Sequence, residues 1–149
     1  MIDKMVGNIV VKKPDGRIGP LTGKDQFLSS LLGREAKRIA SNSPFETYQV
    51  EVPPGALMAN KVEVVLQFYF DKIESISLYA LSDRSVSWDD WSEKREIERK
   101  ELHDRWLVNH LGICQGKFPW GELTSSYDAR VGMSSICLRY SHKGEPWKM

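Results

Sequence analysis

Alternation of apolar and polar side chains is clearest between Lys61 and Phe70. Val62, Val64, Leu66, Phe68 and Phe70 fall on one side and Lys61, Glu63 and Gln67 on the other, the period-two pattern of a strand. Val65 and Tyr69 make the second side partly apolar, so that face reads as half covered. Asp71-Lys72 is the expected hairpin tip leading into a strand over 73–81. Upstream, Tyr48, Val50 and Val52 alternate with Gln49 and Glu51 until Pro53-Pro54-Gly55 stops the run. Near the end, Leu123, Ser125 and Tyr127 share one side of a strand over 122–127, and Asp128-Ala-Arg-Val-Gly132 turns. Ile136, Leu138 and Tyr140 then share a face of a strand over 133–140. A shorter β-branched run at 8–13 ends at the turn triplet Pro14-Asp15-Gly16.

Helical spacing governs two other stretches. Thr22 and Asp25 resemble a helix opening, and Phe27, Leu28, Leu31 and Leu32 form one stripe. Gly33 ends or interrupts that helix, because 34–40 keeps good helix formers until Asn42-Ser43-Pro44. A longer helix is expected over 88–111, which has no Gly or Pro and opens with the cap-like pair Ser87 and Asp90. Asp90–Lys94, Glu96–Lys100 and Glu101–Arg105 are acid-before-base pairs at i,i+4, each worth about 0.2–0.5 kcal/mol. Only Ile97 is apolar along 92–101, so that part reads as solvated, while Leu102, Trp106, Leu107, Val108 and Leu111 dock the rest. Gly112 is the expected cap. Strands in runs predict an α+β fold: a single antiparallel sheet of about five or six strands with two main helices packed on it.

Length and composition narrow the setting. The 149 residues, 41% hydrophobic and 28% charged, suit one domain over 1–149, and no linker or repeat divides them. No apolar stretch approaches the roughly 20 residues of a membrane span. The N-terminus lacks a signal-peptide core, and two cysteines, Cys114 and Cys137, are too few for a disulfide scaffold, so a cytoplasmic protein is expected. A net charge of +1 advertises neither nucleic acid nor an anionic membrane as a partner.

Motifs of chemistry are sparse. His103 and His110 lie seven residues apart, which on a helix separates them by about 10.5 Å, too far to grip one ion. There is no Cys-x-x-Cys, no His-Glu-x-x-His and no Gly-x-Ser-x-Gly, so neither a metal nor a cofactor is implied. Gly23-Lys24-Asp25 lacks the glycine spacing of a phosphate loop, and Gly16-Arg-Ile-Gly19 follows a strand rather than joining two helices. Phe68, Tyr69 and Phe70 lack the basic frame of a stacking platform for nucleic acid.

Familiar residues gather in the C-terminal half. Leu102-His-Asp-Arg-Trp-Leu107 on a helix, then Trp120-Gly-Glu-Leu-Thr-Ser-Ser-Tyr-Asp128 and a closing strand to Tyr140, resemble a group of bacterial α+β proteins. Proteins of this size and type resemble the immunity partners of bacterial toxins, including those of contact-dependent growth inhibition. The motif also has a scaffold reading. Trp120 wedges an indole beneath the sheet, Gly121 lets backbone pass close, and Tyr127, Asp128 and Gly132 shape a hairpin.

The resemblance implies a cytoplasmic protein that blocks a toxin domain by covering it, with no catalysis of its own. Residues 83–104 carry eight acids against five bases, an acidic ridge suited to a basic partner. Trp88, Asp89, Asp90, Trp91, Glu93 and Glu96 are the candidate contact residues, the tryptophans as anchors. An alternative is a small hydrolase or ligand-binding enzyme using His103 and Asp104, with Arg130. A homo-oligomer paired through an exposed strand edge is a third possibility.

Overall fold

The computed structural model describes residues 1–12, 15–81 and 92–141. The chain opens with three short strands, β1 (Ile2–Asp3), β2 (Asn8–Val11) and β3 (Gly16–Ile18), followed by the short helices α1 (Lys24–Ser29) and α2 (Leu31–Arg34). Four strands follow: β4 (Lys37–Asn42), β5 (Phe45–Val52), β6 (Val62–Tyr69) and β7 (Lys72–Ala80). After helix α3 (Glu93–Leu111) come β8 (Gly116–Phe118), β9 (Gly121–Asp128) and β10 (Met133–Tyr140).

Two sheets result. One has seven strands in the order β4-β5-β6-β7-β10-β9-β8, and β1-β2-β3 form a separate sheet of three. Every pairing is antiparallel. This overturns the expected single sheet of five or six strands under two main helices: the described chain is mostly strand, with one long helix.

The largest departure is local. Residues 34–40, expected to stay helical, leave α2 at Arg34 and become the edge strand β4. Helix propensity is worth only a few tenths of a kcal/mol per residue, and Arg34-Glu-Ala-Lys-Arg38 offers no apolar stripe to bury. Pairing with β5, from Lys37 opposite Gln49 to Asn42 opposite Phe45, wins instead. Gly33 has a different role from a helix stop. A Cβ there would collide with the carbonyl oxygen of Phe27, so glycine lets α2 fold back against α1. The small sheet was legible only in part, because its strands are too short for alternation to show.

Alternation nevertheless assigns the inner face of the large sheet correctly. Val62, Val64, Leu66 and Phe68 are buried, and so are Tyr48, Val50, Val52, Ile136, Leu138 and Tyr140. Phe27 on α1 packs its ring against Tyr48 and Phe68 on this face. The small sheet is tied to it by Tyr140 Oη donating to the carbonyl of Gly7 at 2.6 Å and by Lys12 N–H donating to Ala56 at 3.0 Å. Trp120 behaves as expected of a wedge: buried, stacked on Phe118 at 5.2 Å, its Nε1–H on the Lys4 carbonyl at 2.7 Å. A Cβ on Gly121 would strike the Arg139 carbonyl, which is the close backbone passage expected there.

Candidate functional site

Helix α3 starts later than expected, at Glu93, with Ser92 Oγ accepting from Arg95 N–H at 3.1 Å. The expected cap Ser87 and the candidate contacts Trp88, Asp89, Asp90 and Trp91 lie outside the described residues. Glu93 is exposed in the first turn. Glu96 is not: only 3% of it is accessible. Its Oε1 accepts from Ser134 N–H at 3.2 Å and from Arg99 at 2.7 Å, and its carbonyl accepts from Ser134 Oγ at 2.5 Å. Five polar groups of α3 and β10 thus satisfy one another, and the carboxylate faces the sheet rather than a partner.

His103 and Asp104 sit deeper along the same helix. His103 is fully enclosed, and its Nε2 accepts from Ala80 N–H at 3.0 Å, closing the end of β7. Burial, with the nearby Arg99 charge, lowers its pKa from 6.5 to about 4, so the ring is neutral at pH 7 and its proton resides on Nδ1. Asp104 accepts from Lys100 Nζ at 2.6 Å. Burial opposes its ionisation, but the bond and charge from Lys100 outweigh that and hold its carboxyl below the ordinary range. Arg130 belongs elsewhere: it is exposed at the β9–β10 turn and gripped by Asp128 through its Nε at 3.2 Å. Among the described residues, the three residues of the enzyme alternative share no groove. The grooves along the outer sheet face, beside α2, and on the small sheet are lined by none of them.

The outer face of the large sheet, opposite the core, carries Glu51, Glu63, Val65, Gln67, Tyr69, Tyr79, Cys137 and Arg139. α1 and α3 pack on the other face, as does the small sheet. A groove of about 270 Å³ crosses β7, β10 and β9, floored by Ser77, Tyr79, Thr124, Ser126, Ser135 and Cys137. Glu51 and Glu63 are direct cross-strand neighbours, and Glu63 is opposite Tyr79 on its other side. Burial, then the Glu51 charge, pushes the Glu63 carboxyl up. Burial likewise raises the Cys137 thiol, so it is no activated nucleophile.

One residue here escapes the sequence pattern. Phe70, expected on the buried side of β6, is 63% exposed with φ 52°, in the left-handed region. The turn falls one residue early because Asp71 is held by α1: its carbonyl accepts from Lys24 N–H at 2.9 Å and its Oδ1 from Asp25 N–H at 3.3 Å. Phe70 meets Tyr69 edge-on at 4.9 Å, and Tyr69 meets Phe45 at 5.1 Å. Together they make an aromatic corner on the outer face. Among the described residues no His/Cys/Asp/Glu group is placed to hold a metal, and no helix is long and apolar enough to cross a membrane.

Comparison with known proteins gives a fold relative. No protein-family model matches this chain, and no curated protein matches it in sequence. In fold it is similar to a chain of the solved complex of Rhs1-CT with its cognate immunity protein RhsI1. The TM-score is 0.63 over 98% of this chain and 91% of that one, at 11% identity. The shared fold is thus near full length in both. At that identity the likeness is one of fold, and it bears neither on the C-terminal motif nor on the contact-dependent growth-inhibition type in particular.

Proposed function

We propose that this chain is an immunity protein that binds a bacterial toxin domain and blocks it by covering its working surface. The observation that carries this reading is the fold shared, over nearly the whole of both chains, with a chain of the Rhs1-CT–RhsI1 complex. Such a role needs no chemistry. A rigid scaffold presenting a patch of about 800 Å² suffices to exclude substrate. The enclosure of His103 and its bond to Ala80 favour this over the hydrolase alternative.

It acts in the cytoplasm, a compartment in keeping with the free thiols of Cys114 and Cys137. Trp88, Asp89, Asp90, Trp91 and Glu93 form one contact with the toxin, and Glu96 supports it from behind by fastening α3 to β10. The test is growth of a susceptible host expressing the toxin domain encoded beside this chain's gene. Growth restored by co-expressing the chain is the expected result. Growth arrest by this chain alone would assign it to the toxin side of such a pair and overturn the reading.

A further inference from the structure

We draw no further inference here: the strongest candidate, the groove on the outside of the three-stranded sheet lined by the apolar side chains of Met1, Val6, Val10 and Leu21, carries nothing because nothing among the described residues shows what covers it.

Discussion

At the end of β7 a neutral imidazole holds the last backbone donor: His103 Nε2 accepts from Ala80 N–H inside a fully enclosed site. Its Nδ1 is buried without a hydrogen-bond partner, so protonating the other nitrogen would break the bond to Ala80 and bury a charge. The ring ionises near 6.5 when unfolded and at about 4 when folded. Between those values the unfolded chain binds a proton that the folded chain refuses, so stability is full above 6.5 and declines as pH falls toward 4. The loss should approach about 3 kcal/mol, at 1.36 kcal/mol per unit. Urea unfolding of wild type and His103→Gln at pH 7.5, 5.5 and 4 tests this. The glutamine keeps an acceptor but cannot titrate, so its stability should be nearly flat over that window; the wild-type slope surviving in it would locate the titration elsewhere. Asp104, held below its ordinary range, loses its contribution only at lower pH, below the His103 window. In sequence, His103 beside Asp104 reads either as a base with its orienting acid or as part of the scaffold packed against the C-terminal hairpin. Only the position of Ala80, distant along the chain, separates the two. Gly121 was legible because β10, the strand it passes, lies close by in sequence, whereas the Lys4 carbonyl that holds Trp120 is far away along the chain.

Between elements, the fastening of α3 to β10 runs through a residue that sequence placed in solvent. Glu96 follows the pattern of a surface i,i+4 pair with Lys100, yet its side chain turns inward to Ser134 and Arg99. A charged residue at an inward position erases the apolar stripe that would have marked it, which is why 92–101 read as solvated. Glu96→Ala would leave Ser134 N–H buried without its acceptor, costing about 2–3 kcal/mol. Glu98→Ala, on the exposed side, should cost less than about 0.5 kcal/mol. Chemical denaturation of the two variants checks the contrast, and equal costs would deny Glu96 its fastening role. The same limit explains β4. Lys37–Asn42 is exposed at all six positions and pairs on one edge only, so no periodicity marks it as a strand. β6 was legible because both neighbours and the core fix its register, and only Phe70 departed, where the grip of α1 on Asp71 moved the turn.

Across the whole molecule, an open sheet ends in two edges, and both are ill suited to pairing with another chain. β8 is three residues long. β4 carries Lys37 and Arg38 and shifts register between Arg38 and Ala40, which bends its backbone away from a flat template. The runs of strands in the sequence predicted antiparallel pairing correctly, but not that three short segments would leave the main sheet and cover its core. Among the described residues that covering is one-sided, and the edges of the sheet are ill suited to copies of itself. The isolated chain should therefore run as a monomer of 17.1 kDa in size exclusion with light scattering. Replacing Lys37 and Arg38 together with Val removes the charges that guard β4 while leaving its ladder to β5 intact. That double variant should form dimers or larger species that grow with concentration. A wild-type dimer that persists on dilution would return the edge-paired homo-oligomer to the front. A double variant that stays monomeric would mean that the register shift at Ile39 alone keeps the edge closed.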